Sequence, residues 1–103
     1  MATVKLGYTP THSGEVLKDE IEYRKISQRQ LAQQIGIPYK ALNDLLNGRR
    51  SLTTATAMML EVALDIPADS LMRLQLKYNM QQASNDQTFM ERLNQIRKFV
   101  ALL

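Results

Sequence analysis

At 103 residues, with 45% hydrophobic residues and only 4 Gly and 3 Pro, the chain suits one globular domain with a modest core, which excludes a disordered or fibrous protein. It has no Cys, which removes disulfides, thiolate metal sites and cysteine nucleophiles together and fits a reducing cytoplasm. The formal net charge of +3 is unevenly placed: between residues 24 and 50, Arg24, Lys25, Arg29, Lys40, Arg49 and Arg50 face Asp44 alone, a formal +5, and the rest of the chain carries −2.

Residues 1–11 read as an irregular N-terminal arm, because Thr9, Pro10 and Thr11 discourage regular structure; a stretch around Val4 to Tyr8 could extend along a neighbour. This start lacks the apolar core of a signal peptide, and the later apolar runs are too broken by charge to span a membrane. A first helix is expected over about 13–24, capped by His12 or Ser13, with Glu15 in the favourable first turn and Val16, Leu17 and Ile21 facing the core. Ser27 and Gln30 form a capping-box pattern that opens a second helix.

Residues 28–47 are the most informative stretch. Ala32 suits the close crossing of two helices, and Gly36 suits a left-handed helix end. Ile37 can plug the turn, Pro38 fits the first turn of the next helix, and Leu42, Leu45 and Leu46 recur on one face. This is a helix-turn-helix pattern, a standard way to place a helix in the major groove, although an ordinary helical hairpin shares its outline. The third helix runs from about Pro38 to Asn47 and stops at Gly48, leaving Arg49, Arg50 and Ser51 as a basic loop.

A fourth helix is expected from Thr53 or Thr54 to near Asp65, with Ala57, Leu60, Ala63 and Leu64 as its apolar face. Pro67 opens a fifth helix through about Gln82, whose Leu71, Met72, Leu74, Leu76 and Tyr78 make a broad apolar surface. Residues 83–86 read as a break with a new cap. A sixth helix over about 87–101 carries Phe89, Leu93, Ile96, Phe99 and Val100 on one stripe. Because five helices already close a core, this last stripe must fold back, pair with a second copy or bind another protein; a dimer or partner interface is the preferred expectation. No strand, repeat or low-complexity tract is visible, so the fold class is all-α. The organisation is a helix-turn-helix domain over 12–82 and a C-terminal helix over 83–103.

DNA affinity rests on phosphate neutralisation, so the coincidence of positive charge with the helix-turn-helix favours a DNA-binding face. The candidate DNA-binding residues are Gln28, Arg29, Tyr39, Lys40, Asn43, Arg49 and Arg50. Gln28 is expected to hold a phosphate at the start of the second helix. Tyr39 and Lys40 open the third helix, the end that reaches base edges, and Lys40 can meet guanine or phosphate. Asn43 can pair with adenine or merely solvate the helix. Asp44 repels phosphate, and either accepts from cytosine or holds Lys40 one turn away. Arg49 and Arg50 are expected to grip phosphates. One such helix reads few base pairs, so a homodimer on two-fold operator DNA is expected, with recognition helices roughly 34 Å apart. Catalysis finds no support: there is one His, no metal-ligand spacing, no nucleophile elbow and no Gly-rich phosphate loop, and no cofactor is expected. The six Met read as gap-filling core or an adaptable interface.

Read together, HSGEVLKDEI, SQRQLAQQIGIPYKALNDLLNGRRSLT and TATAMMLEVALDIPADSLMRLQLKYNM cover residues 12–80. They resemble HigA-type antitoxins of the lambda-repressor-like (XRE, VapI-like) helix-turn-helix group. The most specific matches are His12-x-Gly14-Glu15-x-Leu17, Asn47-Gly48-Arg49-Arg50 and Leu74-Gln75-x-x-Tyr78. The chain departs from that pattern at Ser13, where the family usually has Pro, at Asp65, where it has a helix-ending Gly, and at Leu71, where it has a bulky aromatic. The resemblance implies a compact five-helix DNA-binding domain; the C-terminal helix lies beyond the matched segments and is read from its amphipathic pattern alone. It implies a non-enzymatic protein that neutralises a HigB/RelE-like ribonuclease toxin and represses its own operon. A stand-alone repressor, or an interaction module that has lost DNA binding, are the alternatives.

Overall fold

The computed structural model describes residues 11–103. The N-terminal arm expected over 1–11, with its extended stretch, therefore lies outside the described residues apart from Thr11. Among the described residues six helices follow one another: α1 Ser13–Tyr23, α2 Gln28–Ile35, α3 Tyr39–Leu46, α4 Thr54–Leu64, α5 Ala68–Ser84 and α6 Gln87–Val100. No strand occurs among the described residues.

Local chemistry sets each boundary. His12, rather than Ser13, caps α1, its Nδ1 accepting the Gly14 N–H at 2.9 Å. Ser27 Oγ accepts the Gln30 N–H at 3.3 Å and opens α2. Gly36 ends α2 in the left-handed region at φ 77°, and the next N–H, that of Ile37, returns to the Ala32 carbonyl at 3.0 Å. Pro38 occupies the cap of α3 rather than its first turn. Thr53 caps α4, and Asp86 caps α6 by accepting the Phe89 N–H at 3.1 Å. Among the described residues two non-glycine positions adopt left-handed backbone, Lys25 after α1 and Asp65 after α4, both at φ 59°.

Helices α1 to α5 enclose an aliphatic core of Leu17, Ile21, Leu31, Ala32, Leu42, Leu45, Leu46, Leu52, Ala57, Leu60, Leu64 and Leu71. Burying one such leucine stabilises the fold by about 1.5–3 kcal/mol. Gly14 lies where α1 meets the end of α3, and a Cβ there would run into the Leu45 carbonyl. Val16, expected to face the core, and two residues of the expected apolar faces, Ala63 and Leu76, lie further out. Val16 is half-buried, Ala63 is exposed at the edge of the α4 stripe, and Leu76 is 61% exposed. Each sits one residue from a fully buried neighbour, Leu17, Leu64 or Gln75, and a helix turns about 100° per residue.

Helix α6 buries no residue. It packs on α5, with Leu93 half-buried, while Ile96 is 50% and Phe99 65% exposed. The molecule measures 55 × 30 × 23 Å, and its radius of gyration of 17.3 Å exceeds the roughly 13 Å of a compact 100-residue domain. The last helix extends from the five-helix unit, resting on α5 through Leu93 while Ile96, Phe99 and Val100 of its stripe stay exposed.

Candidate nucleic-acid interface

The turn at Gly36 and Ile37 sets α3 against α2, with Ala32, Leu42, Leu45 and Leu46 buried beneath. The opposite side of α3 is polar, and its groups are linked to one another. Asn43 Nδ2 donates to Gln28 Oε1 at 3.1 Å, joining α3 to the start of α2. Arg49 Nη2 donates to Asn43 Oδ1 at 3.0 Å, and Arg49 Nε donates to Asp44 Oδ1 at 3.1 Å. Lys40 Nζ reaches Asp44 Oδ2 at 3.1 Å. Of the two roles open to Asp44, the free protein uses the intrahelical pair. The Lys40 hydrogen bond is the main cause that holds the Asp44 carboxyl below its ordinary pKa; burial opposes it and Arg49 adds to it. Asp44 is therefore ionised at neutral pH, and it orients two cations that face solvent.

Beside this network the Arg29 guanidinium stacks on the Tyr39 ring, 4.2 Å from its centroid. Arg50 is exposed on the loop after α3. The structure thus gathers Gln28, Lys40, Asn43 and Arg49 into one bonded set, places Arg29 and Tyr39 as a stacked pair, and leaves Arg50 outside both. The stripe of Phe89, Leu93, Ile96, Phe99 and Val100 lies separately on α6. Arg24, counted in the basic segment, does not serve this face. It pairs with Glu20 at 2.6 Å and donates to the Leu64 carbonyl at 2.7 Å, tying α1 to the end of α4.

Sequence reasoning missed a buried polar node behind the basic loop. Gln75 of α5 is 2% exposed. Its Oε1 accepts from Ser13 Oγ at 2.7 Å and from the Leu52 N–H at 3.0 Å. Its Nε2 donates to Asn79 Oδ1 at 2.9 Å and to Ser51 Oγ at 3.4 Å. His12, also buried, meets the Tyr78 ring edge-on at 4.7 Å, and burial pushes its pKa below the ordinary 6.5. The only signal in the sequence was the pair Gln75 and Tyr78 within the last specific motif. No group of three or more potential metal ligands occurs among the described residues, and none of the described helices is long and apolar enough to cross a membrane.

A short helix, a glycine turn and a second helix with a polar outer face, inside a five-helix unit, define the helix-turn-helix class of DNA-binding domains. The helix-turn-helix family model matches residues 17–71, and the chain belongs to that family. Its structural neighbours include antitoxins and operator-bound proteins. An addiction-module antidote protein of the HigA family from Coxiella burnetii is 30% identical, with TM-score 0.70 over 88% of this chain and 95% of that one. A Pseudomonas aeruginosa protein solved in complex with its operator DNA is 31% identical, with TM-score 0.67 over 72% of this chain and 82% of that one. The Pseudomonas aeruginosa antitoxin HigA, solved with the higBA promoter, is 28% identical, with TM-score 0.69 over 84% of this chain and 90% of that one. No curated protein matches the chain at the level of sequence. The fold is therefore that of a DNA-binding antitoxin, in a family of regulators rather than enzymes.

Proposed function

We propose that this protein is the antitoxin of a two-component module. It neutralises a HigB/RelE-like ribonuclease toxin and, as a homodimer, represses its own operon. The observation that carries the DNA half is the bonded set Gln28–Asn43–Arg49–Asp44–Lys40 on the outer face of the helix-turn-helix. A face whose cations are oriented before binding loses less side-chain freedom on meeting DNA. Lys40 and the Arg29–Tyr39 pair stand at the start of α3, where a recognition helix meets base edges. Gln28, Arg49 and Arg50 serve the phosphates, which position the protein without carrying sequence information. Asn43 uses one amide N–H on Gln28 and one carbonyl lone pair on Arg49, which leaves one donor and one acceptor for a base edge.

The exposed part of the α6 stripe, at Ile96, Phe99 and Val100, supports self-association. A two-fold pair of domains reads two half-sites about 34 Å apart, which one short helix cannot do. The antitoxin half is supported by the likeness to HigA proteins across most of the chain. The test is coexpression with the adjacent open reading frame. A tagged copy should retain that product stoichiometrically and relieve its growth arrest. Retention of nothing, with upstream DNA still bound, would leave a stand-alone repressor.

A further inference from the structure

Between the end of α3 and the start of α4 the chain carries both basic-loop arginines, with His12 against the Arg50 backbone. The Arg49 N–H closes on the Asp44 carbonyl at 2.8 Å. From Arg50 through Thr53, among the described residues, the one backbone N–H with a hydrogen-bond partner is that of Leu52, and its partner is Gln75 Oε1. The neighbouring Ser51 hydroxyl meets the other end of the same amide. Packing does not explain a glutamine here. A leucine or methionine would fill the same volume and keep the helix equally well. A buried amide is costly unless its donors and acceptor are all engaged, and in Gln75 they are engaged across three elements: Ser13 of α1, Asn79 of α5, and the loop.

We infer that Gln75 is the positioning residue of the basic loop: it fixes Ser51 and Leu52 from behind, so that Arg49 and Arg50 are presented to the phosphate backbone in one arrangement. This rests on the DNA-binding reading of that face. Gln75 touches no DNA itself. Its effect reaches DNA only through the two arginines, and that separates positioning from general stability.

The experiment measures affinity for a labelled duplex of about two DNA turns, at salt between about 50 and 200 mM, for four full-length proteins. These are the parent, Gln75→Met, the Arg49→Ala/Arg50→Ala pair, and the triple variant. Each phosphate contact contributes about 0.9 to the slope of log K against log salt, so the arginine pair should lower the slope by about 2. Gln75→Met should lower it by about 1 and weaken binding about tenfold near 0.1 M salt, while adding nothing in the arginine-free background. An equal loss in both backgrounds, or an unchanged slope in folded Gln75→Met, overturns the inference. If Gln75→Met does not fold, Ser51→Ala removes the Ser51 hydroxyl from Gln75 Nε2 while leaving the Leu52 N–H on Oε1. It should cost roughly threefold in the parent and nothing without the arginines, and no loss in the parent overturns the inference. If the arginine pair is itself silent, the DNA reading of this face fails; if only Gln75 is silent, positioning alone fails.

Discussion

Gly14→Ala sets helix propensity against packing, with opposite signs. Gly14 is the second residue of α1, so propensity alone predicts a gain of up to about 1 kcal/mol for alanine. The new methyl, however, would collide with the Leu45 carbonyl of α3, which already accepts the Gly48 N–H at 3.1 Å. A backbone carbonyl held in this way cannot swing aside as a side-chain tip would. The start of α1 and the end of α3 must then separate, which opens the contact above Leu17, Leu42 and Leu45. Overpacking of this kind costs about 1–3 kcal/mol, and a backbone obstacle places the cost at the upper end. The net expectation is a loss of about 2 kcal/mol, or roughly 8–16 °C in Tm for a domain of this size. Urea and thermal unfolding followed by circular dichroism measure it. An alanine variant as stable as the parent, or more so, would refute the packing argument and leave propensity in charge.

Gly36→Ala should lower stability by about 1 kcal/mol in the same assay, because φ 77° disfavours a Cβ although no atom lies within 4 Å of it. His12 makes the fold sensitive to acid. Its folded pKa lies below 6.5, so its contribution is complete above pH 6.5 and is lost as pH falls through the lower folded value, when Nδ1 gains a proton and can no longer cap Gly14. In urea titrations between about pH 7 and 5, His12→Asn, which keeps a capping oxygen, should show a flatter profile than the parent. Ile96→Glu/Phe99→Glu should turn a dimer into a monomer in sedimentation while leaving the thermal unfolding of the five-helix core nearly unchanged, since both side chains are half or more exposed. A variant that sediments like the parent would remove α6 from the dimer.

What could be read from the sequence was whatever depended on neighbours along the chain. The left-handed Gly36, the Ser27 cap, the Asp86 cap and the leucine face of α3 each follow from a few adjacent residues. The i to i+4 pairing of Lys40 with Asp44 is equally local. What escaped depends on elements far apart in the chain. Gln75 stands one turn from buried Leu71 on the inner face of α5, but a glutamine among apolar residues looks like surface until Ser13 and Leu52 are brought to it. Leu76, more hydrophobic and counted in the broad apolar surface of this helix, points away. Arg24 counted toward the basic face because charge was summed along the chain, whereas the fold turns it toward the Leu64 carbonyl. The link from Asn43 to Gln28 was hidden for a related reason: each was visible as a polar residue of the motif, but not that they meet.

The central claim, that the linked face of α2, α3 and the following loop reads DNA sequence, is tested most directly by a specificity ratio. Affinity for the DNA upstream of the protein's own gene is measured against a scrambled duplex of equal length, at one salt concentration, for the parent and for Tyr39→Ala/Asn43→Ala. The account predicts a preference for the upstream sequence of at least about 10³, most of it lost in the variant while binding to the scrambled duplex changes little. Equal affinity of the parent for both duplexes, or a preference that the variant retains, would contradict it.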